Sequence, residues 1–183
     1  GFYGNGREPR LVPQLIAPGS LFLVPHYDVI SQLGLDVQYT QEAWLWKLEM
    51  IGRSGQGEEF GAFVGGFEYT FYSVQNTNTD IGVLAEYLYD ARDDAAPPTT
   101  LDDDVFVGAR FTLNDLDDTN ILVGANIDVN NHEAISIVEA QRRFGERWTL
   151  SAELRLFSNV SENGLLAGFR KDSYLSLDAA WYF

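Results

Sequence analysis

The chain has 183 residues, no cysteine, and 27 acidic against 12 basic residues, which gives a net charge of −15. This charge argues against nucleic acid as a partner, because phosphate binding needs basic clusters. The lack of cysteine excludes disulfides, thiol catalysis and cysteine-based metal sites. Aromatic residues make up 14% and mean hydropathy is −0.14, a balance that suits a sheet with one apolar face. No apolar run approaches the roughly 18 residues of a spanning helix.

Apolar and polar residues alternate with a period of two in segments of about ten residues, which predicts an all-β protein. Nine full strands are predicted, near 31–39, 43–52, 61–72, 80–90, 104–114, 120–129, 133–143, 147–157 and 174–183. The seventh has the weakest pattern. Residues 6–30 hold four of the six prolines and break the pattern, so they are predicted to be a loop. Residues 1–5 are interpreted as the tip of a further strand.

The two faces of the predicted strands differ in composition. Glycine and charged residues occupy the middle of one face, and aromatic residues gather near the strand ends of the other. These aromatic residues are Trp44, Trp46, Tyr69, Phe71, Tyr87, Tyr89, Phe111, Trp148, Trp181 and Phe183. Interfacial aromatic girdles and a wet lumen are typical of membrane barrels. The expected fold is therefore an antiparallel up-and-down transmembrane β-barrel.

The lengths of the connections predict an orientation, because such barrels have short periplasmic turns and longer external loops. A descending last strand makes 158–173 and 90–103 long external loops and 144–147 a periplasmic turn. Residues 6–30 then fall in an external loop. Complete barrels of this type have an even strand number and both ends in the periplasm. Nine full strands with an external start predict that residues 1–183 are a single C-terminal portion of a larger barrel.

Several stretches carry a family resemblance. YDVISQLGLDVQYT, WLWKLEMIGRSGQGEEFGAFVGGFEYTF, DIGVLAEYLYD, DVFVGARFTLND and SYLSLDAAWYF resemble the C-terminal half of an uncharacterised, porin-like outer-membrane family of Gram-negative bacteria. The resemblance covers nearly the whole chain. It implies a location in the bacterial outer membrane and contact with outer-membrane lipid and lipopolysaccharide. It carries no assigned substrate, cofactor or catalytic residue to this chain.

The last predicted strand has apolar residues at every second position and stops on an aromatic residue. In the barrels that this sequence resembles, the barrel-assembly machinery recognises this pattern as an assembly signal. The matching residues are Leu175, Leu177, Ala179, Trp181 and Phe183. The resemblance therefore implies the assembly machinery as a partner.

Charged residues of the polar face are the candidate functional set and are predicted to line a pore. They are Asp36, Lys47, Glu49, Glu68, Glu86, Arg110, Asp128, Glu139, Glu153, Arg155 and Asp178. Together with Arg143 they give four cations against eight acids, a net charge of −4. Alignment from the periplasmic strand ends places Lys47, Glu68, Glu86, Arg110, Glu153 and Asp178 at similar heights. Two hypotheses stay open: a cross-strand ion-pair girdle that stiffens the wall, and a constriction that prefers cations.

Other groups of polar residues indicate no metal site and no catalytic site. Acidic residues flank the predicted loop at 90–103 and occupy the turn at 114–119, but neither group has EF-hand spacing. They are interpreted as solvated loop charges and turn formers. Histidine occurs only at His26 and His132, outside the predicted strands, so no nucleophile and base are predicted to meet and no enzymatic activity is expected.

Three functions fit these patterns to different degrees. The leading prediction is passive diffusion of small hydrophilic solutes through a water-filled, weakly cation-preferring pore. The alternative is a non-conducting barrel with a structural or surface-binding role, because small barrels fill with side chains whereas about 16 strands leave a channel. A soluble β-sandwich or lipocalin-like binder would instead place Phe63, Phe67, Trp148 and Trp181 in a closed interior.

Overall fold

The computed structural model describes residues 1–17 and 20–183. Pro18 and Gly19, part of the predicted loop at 6–30, lie outside the described residues. The strands are β1 Phe2–Asn5, β2 Arg10–Ala17, β3 Ser20–His26, β4 Val29–Gln41, β5 Trp44–Ser54, β6 Phe60–Phe71, β7 Asp80–Asp90, β8 Asp103–Thr112, β9 Asn120–Asp128, β10 Ala134–Phe144, β11 Trp148–Ser158 and β12 Tyr174–Trp181. Single 3₁₀ turns occur at Val74–Asn76 and Ala167–Phe169. The predicted all-β class is confirmed.

Ten strands form one antiparallel sheet in the order β1-β4-β5-β6-β7-β8-β9-β10-β11-β12. β1 pairs with the start of β4, from Phe2 opposite Gln32 to Asn5 opposite Val29, so the predicted strand at 1–5 is present. Within the described part of the chain, no ladder joins β12 to β1 or β4. The sheet is therefore an open layer with two free edges.

The nine predicted strands correspond to β4–β12, and each boundary lies within two residues of its predicted position. The weak seventh strand is present as β10, because ladders to β9 and β11 hold it on both sides. Gly145 has a φ of 61° in the turn between β10 and β11, a left-handed conformation that favours glycine. We call the end of the sheet with the turns at 42–43, 72–79, 113–119 and 145–147 the lower end. The opposite end, with the segments 55–59, 91–102, 129–133 and 159–173, is the upper end.

The segment 6–30, predicted to be an external loop that breaks the strand pattern, contains a hairpin. β2 and β3 pair with each other from Arg10 opposite His26 to Leu15 opposite Leu21, in a separate two-stranded sheet. Proline is tolerated in edge strands, where its missing N–H faces away from the ladder, and both strands of an isolated hairpin are edge strands.

The register keeps the two faces of the large sheet separate across all its strands. Trp46 lies opposite Phe67, Phe67 opposite Ala85, and Ala85 opposite Val107. Beyond β8 the same face continues through Val123, Val138 and Leu154 to Leu175. We call this the apolar face and the opposite one the polar face.

The apolar face has no second layer of protein over it. Among the residues that the structure describes, only five hydrophobic side chains are buried: Ile30, Phe60, Leu84, Ala96 and Val160. Leu33 and Leu177, on the apolar face, are 71% and 73% exposed. A soluble sandwich would bury this face, so the structure does not have the closed interior that the sandwich hypothesis needs. Nowhere in residues 1–17 and 20–183 is there a helix of the length and hydropathy needed to cross a membrane.

Candidate functional site

Two ion pairs on the polar face connect strands that are not neighbours. Lys47 on β5 and Glu86 on β7 approach to 3.5 Å, with β6 between them. The residue of β6 in that row is Gly66, which lies opposite both. A Cβ atom at Gly66 would lie 2.6 Å from Glu86 Cγ, so only glycine leaves room for the pair.

The second pair lies one strand further along the sheet and is diagonal, since Arg110 is opposite Gly82 whereas Glu68 is opposite Leu84. Glu68 on β6 and Arg110 on β8 approach to 3.7 Å across Gly82 of β7. A Cβ atom at Gly82 would lie 2.5 Å from Glu68 Oε1. The two glycines therefore let four predicted pore-lining residues form an ion-pair girdle across β5–β8.

A third group surrounds Arg155 on β11. Its Nε donates to Glu153 Oε1 at 2.5 Å, and its Nη2 lies 3.6 Å from Glu139 on β10. Tyr174 on β12 donates its hydroxyl to the same oxygen of Glu153 at 2.6 Å. Each of these charged groups is partly exposed, so solvent screens the pairs and weakens their contribution to stability. The group links the polar face from β10 to the edge strand.

Four acidic residues of the predicted set have no cation within 4.0 Å in the described residues: Asp36, Glu49, Asp128 and Asp178. Asp36 and Glu49 lie directly opposite each other and are both exposed. The Asp178 carboxylate accepts a hydrogen bond from Ser176 Oγ at 3.1 Å. Asp128 accepts from the backbone amides of Asn130 and Asn131 and therefore shapes an upper turn.

Arg143 lies on the polar face, as predicted, opposite Thr149 at the lower end of β10 and β11. Its guanidinium pairs with Asp118, and its backbone N–H donates to Asp117 O, so it holds the lower turn at 113–119. The predicted polar-face set therefore keeps eight acids against four cations, a net charge of −4.

The six residues that were predicted to lie at similar heights do not share one cross-strand row in the structure. Arg110, Glu139 and Glu153 share one cross-strand row, through Leu122 of β9. Lys47 and Glu86 share another row with Gly66, and Asp178 lies in a third, opposite Ser151. The charges thus form a band oblique to the rows, as expected where strands are tilted.

The polar face also has an open cavity of about 580 Å³ beside the girdle, lined by Arg110, Glu139, Glu153 and Asp178 together with uncharged residues. Charged and polar atoms on this side can form hydrogen bonds with water and with small hydrophilic solutes.

Sequence reasoning missed the contacts that depend on register. The sequence at Gly66 and Gly82 indicated only a glycine-rich polar face. It could not identify the ion pairs that cross these glycines and join strands two apart. Phe106 is on the polar face, and its ring covers Gly124 of β9, where a Cβ atom would lie 2.6 Å from Phe106 Cζ. The signal available was an aromatic residue next to glycines in neighbouring strands.

A further cluster, also missed, lies at the upper end of the polar face. Phe60 is buried, and its ring centroid lies 5.7 Å from the Arg53 guanidinium carbon and 5.3 Å from that of Arg92. Glu8 approaches both arginines, at 3.6 and 3.7 Å. Gln56, 1% exposed, donates to the Glu8 carbonyl. This upper arginine cluster ties the N-terminal segment to the segments 55–59 and 91–102.

Acidic residues of the upper and lower connections act within local hydrogen-bond networks. The backbone amide of Glu58 donates to Asp93 and holds the pKa of that carboxyl below its usual range. The backbone N–H and hydroxyl of Thr119 lower the pKa of Asp115 in the same way. No group of three or more His, Cys, Asp or Glu side chains converges in the described ranges.

The residues of the predicted assembly signal lie on the apolar face at the free edge of the sheet. Leu175, Leu177 and Ala179 lie opposite Leu154, Ala152 and Leu150 of β11. Trp181 lies opposite Trp148, and the Phe183 ring centroid is 5.6 Å from that of Trp181.

No protein-family model, curated protein or solved structure matches this chain.

Proposed function

We propose that the ten-stranded sheet is wall of a transmembrane β-barrel in the bacterial outer membrane, with a water-filled lumen for passive, non-enzymatic passage of small hydrophilic solutes. The observation that carries the proposal is the exposed apolar face, which continues from β4 to β12 behind a charged polar face. Soluble proteins rarely expose contiguous apolar patches beyond a few hundred Å². The hydrocarbon core of a lipid bilayer would cover this apolar face and keep it out of water.

The spacing of aromatic residues on the apolar face supports this environment. At the lower end the ring centroid of Trp44 lies 5.3 Å from that of Trp46 and 4.6 Å from that of Tyr69. At the upper end Phe63 contacts Tyr87 and Tyr89. Phe63 and Phe71 lie near the two ends of β6, about 26 Å apart along the strand. With a barrel strand tilt this is about 20 Å of height, close to an apolar band of about 25 Å.

The free edges require partners in lipid, because unpaired backbone groups are not tolerated there. We propose that β12 and the β1–β4 edge pair with further strands when the barrel closes. The exposed apolar side of β12, with Leu175, Leu177, Ala179, Trp181 and Phe183, is the surface that we propose for recognition by the assembly machinery, in line with the family resemblance.

The charges of the polar face favour weak cation preference. Eight predicted acids against four cations leave an acidic excess, and a low-dielectric wall focuses the field of fixed charges into the water it encloses. Ion pairs neutralise Glu68 and Glu86 locally, and a Debye length of about 8 Å at physiological salt screens the rest across a wide lumen. Preference for cations should therefore be modest.

The ion-pair girdle favours the alternative function as well, since cross-strand pairs stiffen a wall whether or not it conducts. Planar-bilayer recording distinguishes the two. We expect channels whose reversal potential in a KCl gradient moves toward the anion side in E68Q/E86Q, more strongly at about 0.1 M than at about 1 M salt. The variant also frees Lys47 and Arg110, which adds to the shift.

The control is E58Q/E59Q, which makes the same charge change in the exposed upper segment 55–59. It should leave the reversal potential nearly unchanged. Absence of channels would favour the non-conducting wall, and equal shifts in both variants would refute the role of Glu68 and Glu86 in cation preference.

A further inference from the structure

The hairpin β2–β3 projects beyond the upper end of the large sheet. β1 and β4 pair where the chain enters and leaves it, and Gly6 N donates to Asp28 O at 2.8 Å just above that ladder. β2 and β3 have eight and seven residues, so the hairpin is about 23–26 Å long. A two-stranded sheet of this kind is marginal alone in water.

One side of the hairpin carries only apolar residues. The cross-strand pairs Leu11–Pro25, Pro13–Leu23 and Leu15–Leu21 all lie on this side, which we call the leucine side. Its four leucines are 59–68% exposed. The opposite side is mixed: it carries Arg10, Gln14 and His26 together with Val12, Phe22 and Val24.

The leucine side continues the apolar face of β4. His26 Nε2 lies 3.2 Å from Asp28 Oδ1. The side chains of residues 26 and 28 therefore point to the same side, so the alternation of sides continues from β3 into β4. Odd-numbered residues therefore stay together on the other side, from Leu21 and Leu23 to Leu33 and Leu35.

This apolar stripe, interrupted at Ser31, is too long for the membrane. Leu21 and Tyr39 are 18 residues apart, about 60 Å along an extended chain. A spanning strand needs only about 9–11 residues. If β4 crosses the membrane, a step that rests on the proposed function, the leucine side lies outside the hydrocarbon and needs another apolar surface.

Two features of the hairpin define that surface. Pro13 and Pro25 lack the N–H that edge pairing needs, which favours contact by the face of the hairpin. Residues 9–27 are also the longest stretch without Asp or Glu in a chain of net charge −15. Two copies of so acidic a chain repel each other over most of their surface, and this stretch is where the repulsion is least.

We propose that the leucine side packs against the leucine side of a second copy of this chain, in a two-fold contact at the upper end of the barrel. Each hairpin offers a patch much smaller than the about 800 Å² per partner of a standard interface. The contact therefore depends on the membrane, which holds copies at a high effective concentration.

Cysteine variants test this contact, because the chain has no cysteine of its own. L23C places a thiol on the leucine side, and V24C places one on the opposite side of the same strand. The full-length protein is reconstituted in phosphatidylcholine vesicles and treated with a bismaleimide that spans about 10 Å, the spacing of sheets packed face to face. L23C should form cross-linked dimers in several-fold greater yield than V24C. Equal yields, or none, would overturn the proposal.

Charge variants give a second readout, as energy transfer between copies labelled at N163C in the exposed segment 159–173. L15E/L23E should lower the apparent association constant at least about ten-fold, since unpaired carboxylates are costly in an apolar contact. Q14E/V24E adds the same charge with the same diagonal spacing on the opposite side, outside the contact, and should lower association clearly less. Retained association in L15E/L23E would overturn the proposal.

Protease protection in the same vesicles measures membrane insertion independently of the contact between copies. Inserted protein that neither cross-links at L23C nor transfers energy would refute the contact and leave the proposed function intact. A dye at L23C whose emission shifts to the blue in highly diluted, uncross-linked vesicles would show that lipid covers the leucine side, which would also refute the second-copy contact. Failure of insertion itself would refute the proposed function.

Discussion

A charge on the apolar face should cost far more than one on the polar face of the same strand. Leu154 is the seventh of eleven residues in β11, one residue from its centre, and lies opposite Val138 and Leu175. This places it about 3 Å from mid-strand. Arginine near the bilayer midplane of a barrel costs about 2–4 kcal/mol. With a urea m-value of about 2 kcal/mol/M, L154R should lower the unfolding midpoint by about 1–2 M.

Ser151→Arg is the matched control. Ser151 lies on the polar face of the same strand, opposite Asp178, whose carboxylate has no cation within 4.0 Å in the described residues. A guanidinium there gains an acidic neighbour, so the free energy of unfolding should change by less than about 1 kcal/mol. Both variants are measured by refolding titration in lipid vesicles, with tryptophan fluorescence as the signal. Equal losses, or a larger loss in S151R, would refute the assignment of the two faces.

Three further predictions concern the girdle and the two ends of the sheet. Gly82→Val should lower the free energy of unfolding by about 1–3 kcal/mol in the same titration, because it displaces Glu68 from Arg110. Gly52→Val, where a Cβ meets no atom within 4 Å, should lower it clearly less. Equal losses would contradict the role of Gly82 as a spacer for the ion pair. The folded pKa of Asp115 lies below its unfolded value near 4, so its stabilisation is present above about pH 4 and lost as pH falls through the folded pKa. Asp115→Asn should therefore flatten the dependence of the unfolding midpoint on pH below about 4, and an unchanged profile would count against it. Phe60→Ala removes the ring between Arg53 and Arg92 and should speed proteolysis within 91–102 several-fold, whereas Tyr72→Ala, at a 63% exposed position, should not.

The strand pattern was predictable because the side-chain period of two is a local property. β7, for example, begins and ends at its predicted residues, since Ile81, Val83 and Ala85 alternate with Gly82 and Leu84. β10 alternates weakly and is fixed by its neighbours. The hairpin escaped prediction because β2 and β3 carry apolar residues on both sides and prolines at Pro13 and Pro25, which hide the period.

The candidate site was predictable only as a set of charges on one face. Which charges meet depends on register between strands two apart, as for Lys47 and Glu86 across Gly66. Arg143 keeps the polar-face parity that was predicted, but its partner, Asp118, belongs to a lower turn that the strand pattern does not place. Contacts of the upper arginine cluster join residues as far apart as Glu8 and Arg92, and no local pattern indicates them.

Accessibility along one strand tests the lipid-facing assignment most directly. Single cysteines in β8 of the vesicle-inserted protein, labelled with a small fluorophore, can be quenched from lipid or from water. We expect the lipid-soluble quencher to act on labels at Val105, Val107, Ala109 and Phe111, and the water-soluble quencher to act on labels at Phe106, Arg110 and Thr112. A period of two between the quenchers is the predicted result. Equal quenching along the strand, or water access at Val107 with lipid access at Arg110, would contradict a wall with its apolar face in the membrane.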